Sequence, residues 1–248
     1  IAAKAWAAGE RFVWVGDPQV SPDGSKVAFV RVNVNTKKDG YDTSIWAVST
    51  SGNEEAYRLT SGMRDSSPRW SPDGRSLAFV RVGERDGRPD APQIFMLPMT
   101  GGEPWQVTTV TRGVGGPVWS PDGKWIAYLS DASGEYEIYI QKQDGSEPPV
   151  KLTTGADTYK FTIRWSPDSK KILWNDKMLR LQYVDIVSKA VTLVDKSKIW
   201  EFGSFDWSPD SRWIAYSRPM ENGMQQIMLY NTADGKSFEV TDGWFSSD

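Results

Sequence analysis

Short apolar runs alternate with polar turns along the chain from Arg11 onward. Runs such as residues 26–32 and 126–129 are rich in β-branched and aromatic residues, which is typical of strands. Ser-Pro-Asp precedes each of these two runs. Its proline pre-sets φ for a turn, and its aspartate can bond the local backbone. The pattern predicts β-hairpins joined by this turn.

The Ser-Pro-Asp turn is repeated, and successive copies lie 42 to 50 residues apart. The copies are Ser21-Pro22-Asp23-Gly24, Ser71-Pro72-Asp73-Gly74, Ser120-Pro121-Asp122-Gly123, Ser166-Pro167-Asp168-Ser169 and Ser208-Pro209-Asp210-Ser211. Four strand-like segments recur with each copy. Four short strands at this period predict one blade of a β-propeller.

The predicted fold is therefore all-β, a propeller with five four-stranded antiparallel blades. The predicted blades are residues 11–62, 63–110, 111–155, 156–196 and 197–248, in a single domain, and the Ala-rich residues 1–10 are expected to form a helix or an arm. Two alternatives remain for closure. The protein is either a closed ring, expected to be a monomer, or an open arc that self-associates through its exposed end blades.

The repeated residues of the turn are interpreted as structural. The tryptophans before four of the turns are expected to pack between adjacent blades, and they are Trp70, Trp119, Trp165 and Trp207. The turn aspartates are expected to bond backbone N–H groups, and they are Asp23, Asp73, Asp122, Asp168 and Asp210. Val20 replaces tryptophan in the first copy and predicts a smaller contact. Where Ser169 and Ser211 replace glycine, the turn either has negative φ or is strained.

Composition removes several classes of chemistry. The chain has no histidine and no cysteine, so it can form neither a Ser-His-Asp triad nor a cysteine-based zinc site. A net charge of −3 gives no footprint for nucleic acid, and no apolar run reaches membrane-spanning length. No catalytic, cofactor-binding or metal-binding residue is predicted, and no cofactor. The sequence shows no signal-peptide pattern, and a cytoplasmic location is the expectation.

Three groups of polar residues are candidate sites. The carboxylates near blade starts could serve a glycosidase, although turn and loop duties are favoured, and they are Asp17, Asp65, Asp157 and Asp206. The acidic loop with Glu84, Asp86 and Asp90 lacks a calcium-loop spacing and is interpreted as solvated. A basic and aromatic set is interpreted as surface loops, not as a nucleic-acid platform, and it contains Lys177, Arg180, Lys196, Lys198 and Trp200.

The repeats resemble TolB-type, or WD40-like, propellers. Residues 11–130 are similar to the propeller of prolyl-oligopeptidase-like peptidases, especially acylaminoacyl peptidases. The similarity lies in residues 16–24, in Arg64-Asp65-Ser66-Ser67-Pro68-Arg69-Trp70 and in Gly115-Gly116-Pro117-Val118-Trp119. Residues 135–248 resemble the tricorn protease propeller, through residues 156–160, 176–181 and 241–245. One hypothesis from this double likeness is a chimeric or designed propeller.

In both families the propeller gates or feeds an active site on a separate domain. The resemblance thus implies a non-catalytic scaffold or interaction domain whose partner is a catalytic peptidase domain. Two alternatives stay open. The first is a glycan-binding or glycosidase propeller using axial carboxylates, and the second is the excised propeller of a longer protease.

Overall fold

The structure, a computed structural model, describes residues 12–37, 39–155 and 158–243, without the side chains of Phe12 and Val13. The predicted N-terminal helix or arm, Asp157 and the end of the last predicted blade lie outside these residues. The described residues form two compact units. One contains those up to 117 together with 143–146, and the other contains 118–142 together with those from 147 onward.

The first unit contains two four-stranded antiparallel sheets. Sheet 1 has the order β1-β2-β3-β4. Its strands are β1 (Phe12–Val20), β2 (Lys26–Val34), β3 (Tyr41–Ser49) and β4 (Tyr57–Arg58). Sheet 2 has the order β10-β9-β6-β5. Its strands are β5 (Asp65–Trp70), β6 (Ser76–Arg81), β9 (Gln93–Pro98) and β10 (Trp105–Gln106). A separate hairpin pairs β7 (Glu84–Arg85) with β8 (Arg88–Pro89).

The second unit contains three further four-stranded antiparallel sheets, each with its strands in chain order. Sheet 3 comprises β11 (Val118–Trp119), β12 (Trp125–Ser130), β13 (Glu137–Lys142) and β14 (Val150–Lys151). Sheet 4 comprises β15 (Lys160–Trp165), β16 (Lys171–Asp176), β17 (Arg180–Asp185) and β18 (Val191–Lys196). Sheet 5 comprises β19 (Phe205–Trp207), β20 (Trp213–Pro219), β21 (Gln225–Asn231) and β22 (Ser237–Glu239). The all-β prediction with four-stranded antiparallel units is confirmed.

Two local predictions were wrong. The polar segment at residues 83–90 is a hairpin and not only a loop, because Asp86 and Gly87 have φ of 53° and 74°. Positive φ at two successive turn residues is the type I′ geometry that Asp-Gly favours between antiparallel strands. The apolar pattern also predicts fourth strands over residues 56–60, 106–108 and 151–153, but those of sheets 1 to 3 are two residues long. They end early because the hydroxyls of Thr60, Thr108 and Thr153 accept the next N–H of the third strand.

Apolar contacts between neighbouring sheets form the core of each unit. In the first unit, Ala28 and Ile45 of sheet 1 pack with Leu77 and Phe79 of sheet 2. In the second unit, one cluster joins sheets 3 and 4, and another joins sheets 4 and 5. A buried aromatic stands eight residues after the serine of every turn: Phe29, Phe79, Tyr128, Trp174 and Tyr216. A single sheet cannot cover both of its faces, so this repeated ring is buried by sheet stacking.

Candidate functional site

The Ser-Pro-Asp turn has the same hydrogen bonds in all five copies. In the first copy, the Ser21 hydroxyl donates to Asp23 Oδ1 at 2.6 Å, and Asp23 Oδ1 also accepts from the Ser25 N–H at 3.0 Å. Ser21 Oγ accepts in turn from the N–H of Lys26, at the start of β2. The remaining copies repeat the hydroxyl–carboxylate bond at 2.5 to 2.7 Å. These aspartates are therefore engaged inside their own turns.

These bonds stabilise the ionised carboxylates. The Ser21 hydroxyl, with the N–H and hydroxyl of Ser25, lowers the pKa of Asp23 to about 2. The pKa of Asp73 and Asp210 is lowered mainly by the hydroxyls of Ser71 and Ser208. At Asp122 and Asp168, burial acts to raise the pKa. Hydrogen bonds outweigh this effect, including those from the hydroxyls of Ser120 and Ser166, so the pKa is again lowered.

The two serines that replace glycine adopt the left-handed conformation, with φ of 61° at Ser169 and 60° at Ser211. Of the two alternatives drawn from the sequence, the strained one is present. Each hydroxyl accepts a hydrogen bond from the preceding sheet's turn, at 3.0 Å from the N–H of Asp122 and of Asp168 respectively. The serines thus connect the turns of sheets 3, 4 and 5.

The turn tryptophans also connect sheets. Trp70 Nε1 donates to the carbonyl of Gln19 in the neighbouring sheet at 3.0 Å, and Trp165 Nε1 donates to Val118 at 3.1 Å. The Trp207 indole makes the corresponding bond to Arg164, and Trp119 is half-buried. Val20, which stands in place of tryptophan in the first copy, is 63% exposed.

The candidate glycosidase carboxylates are occupied by other groups. Asp17 is bound by Arg69 at 2.8 Å. Asp65 is fully buried and receives two hydrogen bonds from Arg81, at 2.7 and 2.9 Å. Asp206 accepts from the N–H of Trp207. Each described carboxylate of this set therefore accepts a hydrogen bond from a partner of its own.

Polar residues gather at the ends of the sheets opposite the Ser-Pro-Asp turns, where each second strand ends and each third strand begins. In four sheets, the hydroxyl of a threonine after the fourth strand accepts a hydrogen bond from a backbone N–H of the third strand. The bonds are Ile45 to Thr60, Ile94 to Thr108, Ile138 to Thr153 and Ile227 to Thr241. The repeated Leu-Thr or Val-Thr pairs in the sequence could have identified these threonines, but sequence reasoning took them for strand residues.

Buried ion pairs stand at the same ends. In sheet 4, Lys160 is 5% exposed and its ammonium group lies 3.2 Å from Glu137 of sheet 3. It also donates to the Tyr136 carbonyl at 2.8 Å. Burying a charge is costly unless it is paired and hydrogen-bonded, and this arrangement meets both conditions. Sequence reasoning missed this pair because the two residues are far apart along the chain.

The residues of the basic and aromatic set have different surroundings in the structure. Arg180 pairs with Asp176 at 2.8 Å, and Trp200 is 70% exposed. Lys196 and Lys198 line a cavity of about 530 Å³ with Asp195 and Arg218. Arg218 binds Asp195 at 2.6 Å. This cavity is the candidate site of the second unit.

In the described part of the chain, no group of three or more acidic side chains is placed to hold a metal ion. The acidic loop instead contains an ion pair of Asp90 with Arg85 at 2.9 Å. No helix in residues 12–37, 39–155 and 158–243 is long and apolar enough to cross a membrane.

Comparison with solved structures shows the fold. TolB from Acinetobacter baumannii superposes with a TM-score of 0.60 at 22% identity, covering 91% of this chain and 54% of that one. A puromycin-hydrolyzing peptidase of Mycobacterium tuberculosis gives a TM-score of 0.68 at 19% identity, covering 94% of this chain and 38% of that one. The fold is that of a β-propeller, as predicted.

Sequence comparison finds a relative that spans both predicted halves. The uncharacterized peptidase YuxL of Bacillus subtilis (strain 168) is 31% identical over 209 residues, or 83% of this chain. The chain spans 29% of the length of YuxL. Since one protein matches across both halves, the double likeness does not require a fusion of two sources, and the comparisons give no support to a chimeric or designed origin.

The family comparison matches residues 92–248, which is more than half of the chain and begins within the second predicted blade. The tricorn-like part is thus longer than residues 135–248. The chain belongs to the family described as the tricorn protease second beta propeller domain.

Proposed function

We propose that this chain is a non-catalytic scaffold and interaction domain that acts beside a catalytic peptidase domain. The observation that carries the proposal is the match of residues 92–248 to the second propeller of tricorn protease. YuxL, of which the chain spans 29%, is likewise a named peptidase. The larger part of YuxL therefore lies outside the segment that matches this chain.

The side chains of the propeller support the same assignment. Without histidine the chain cannot complete a Ser-His-Asp triad. The turn serines and aspartates stand two positions apart and are engaged in local hydrogen bonds, as in Ser21 and Asp23. The glycan-directed alternative needs two carboxylates free to act as acid and base. Asp17 and Asp65 are each held by an arginine, so the described geometry does not favour it.

A domain exchange tests the proposal. The matched segment of YuxL would be replaced by this chain, and hydrolysis of short and long peptides would be compared with YuxL lacking the segment. We expect the exchanged protein to hydrolyse peptides, and the 248-residue chain alone to give no turnover above buffer. Peptide hydrolysis by the isolated chain, or an exchange protein no better than the deletion, would contradict the proposal.

The same exchange with Trp165→Ala is the matched control for folding. Trp165 is 7% exposed and joins sheets 3 and 4, so its loss removes a well-packed propeller while the rest of the chain is unchanged. If the scaffold is what matters, this variant should behave like the deletion.

A further inference from the structure

The cavity of about 530 Å³ in the second unit lies between the end of β18 and the segment that joins β20 to β21. Its size is in the range of pockets that bind a compact ligand. Ile199 and Met220 contribute apolar surface. Lys196 and Lys198 contribute positive charge, and Glu221 contributes one negative charge. A ligand with an aliphatic part and an anionic end matches this lining.

Some charged side chains of the cavity lining are ion-paired and others are not. Arg218 is bound to Asp195, by Nε at 2.7 Å and by Nη2 at 2.6 Å, so the charges of these two side chains cancel. Lys196 and Lys198, in contrast, make no ion pair with any residue in the described part of the chain. Beside the neutral Asp195–Arg218 pair, these two ammonium groups outnumber the single carboxylate of Glu221. The lining therefore has a net positive charge, which favours a carboxylate or another anion.

The neighbouring strand favours a peptide among anionic ligands. β18 is the outer strand of sheet 4, and within residues 158–243 no strand pairs with its outer edge. Val191 and Leu193 are 46% and 50% exposed along it, and the strand ends at Lys196 in the cavity. An exposed edge offers main-chain hydrogen bonds to an extended peptide, with alternate side chains giving contacts.

We propose that this cavity binds the carboxyl-terminal end of an extended peptide, with the α-carboxylate at Lys196 and Lys198. The peptide lies along the edge of β18, and its last aliphatic side chain contacts Ile199 and Met220. The choice of a peptide rests on the proposed function, in which the chain acts beside a peptidase. The cavity is then a docking site for peptides that enter or leave that domain.

Calorimetric titration of the 248-residue chain tests the inference, with acetyl-Ala-Leu-Ala-Leu bearing a free carboxylate and with its carboxamide. We expect the acid to bind at least about tenfold more tightly than the amide, and to lose affinity as salt is raised. Lys196→Gln with Lys198→Gln should weaken binding of the acid by about tenfold and leave binding of the amide unchanged.

The control is Lys170→Gln with Lys189→Gln, which removes the same charge from the opposite end of sheet 4 and should leave affinity unchanged. Equal binding of acid and amide, equal effects of the two double variants, or no binding at all would overturn the inference. Inorganic phosphate that competes as well as the peptide would also overturn it, since the cavity would then be a general anion site. The assay contains no catalytic domain, so its failure leaves the outcome of the domain exchange untouched.

Discussion

The hydroxyl of Ser211 accepts a hydrogen bond from the N–H of Asp168 at 3.0 Å, and thereby joins two turns that are 43 residues apart in the chain. Ser211 adopts φ of 60°, a conformation that costs a non-glycine residue about 1 kcal/mol. The bond to the neighbouring turn offsets that cost.

Ser211→Ala keeps the unfavourable φ and removes the hydrogen bond, so we expect the free energy of unfolding to fall by about 1–2 kcal/mol. Ser211→Gly loses the same bond but relieves the backbone, so its loss should be smaller. Urea unfolding measures both, with exposed Ser204→Ala as the control. An alanine variant at least as stable as the glycine variant would contradict the assignment.

Gly74 stands at the position that corresponds to Ser169 and Ser211, with φ of 70°. An added Cβ would lie 3.7 Å from Pro22, beside the turn of sheet 1, which is ordinary contact. A serine there should reach the Asp23 N–H and offset its own backbone cost. We expect Gly74→Ser to be close to neutral, and Gly74→Ala to lose about 1 kcal/mol of unfolding free energy.

Gly52 provides the matched control for Gly74, since it has φ of 76° and nothing within 4 Å of an added Cβ. Gly52→Ser has no neighbouring turn to bond and should lose about 1 kcal/mol. The idea fails if serine is tolerated equally well at both positions.

Trp165 should contribute to the free energy of unfolding mainly through the burial of its side chain. Trp165→Ala is expected to lower the free energy of unfolding by about 3–5 kcal/mol. Trp165→Phe retains a ring but leaves the Val118 carbonyl without its indole donor, and should cost about 1–3 kcal/mol. Trp200→Ala, at a 70% exposed position, should change it by less than about 0.5 kcal/mol. Similar losses at Trp165 and Trp200 would speak against the inter-sheet role.

The ion pair of Asp65 with Arg81 is expected to be sensitive to loss of one partner. Arg81→Met leaves the fully buried carboxylate unpaired and should cost about 3–5 kcal/mol in unfolding free energy. Arg81→Met combined with Asp65→Leu removes both charges and should recover most of the loss. Urea unfolding at pH 7 distinguishes the cases, and a double variant no better than Arg81→Met would refute the argument.

The lowered pKa of the turn carboxylates predicts that the protein loses stability in acid. The pKa of Asp23 is lowered to about 2, below the value of about 3.9 for an unfolded aspartate. The unfolded chain therefore binds more protons between these values, so the stabilisation is complete above about pH 4 and is lost as pH falls towards about 2. The urea midpoint should decline over this window. Asp23→Asn and Ser21→Ala should each make the decline shallower, and unchanged slopes in both would count against the turn as its origin.

Local chemistry allowed much of the fold to be predicted from the chain alone. The Ser-Pro-Asp repeat and the apolar runs behind it predicted the four-stranded antiparallel units, since turn geometry and strand pattern depend on neighbouring residues. The same locality explains the predicted bonding of the turn aspartates to the backbone. The Asp86-Gly87 hairpin was also readable locally, from its dipeptide, and was overlooked.

Contacts between sheets could be decided only by the tertiary structure. The partner of the Ser211 hydroxyl is Asp168, a residue of another sheet, and the ion pair of Lys160 with Glu137 likewise joins distant segments. The cavity at Lys196 and Lys198 exists because the end of β18 meets the β20–β21 segment. Turn chemistry acts over a few residues, whereas packing depends on which surfaces meet in space, and that is why sequence reasoning predicted the repeated units but not the sites between them.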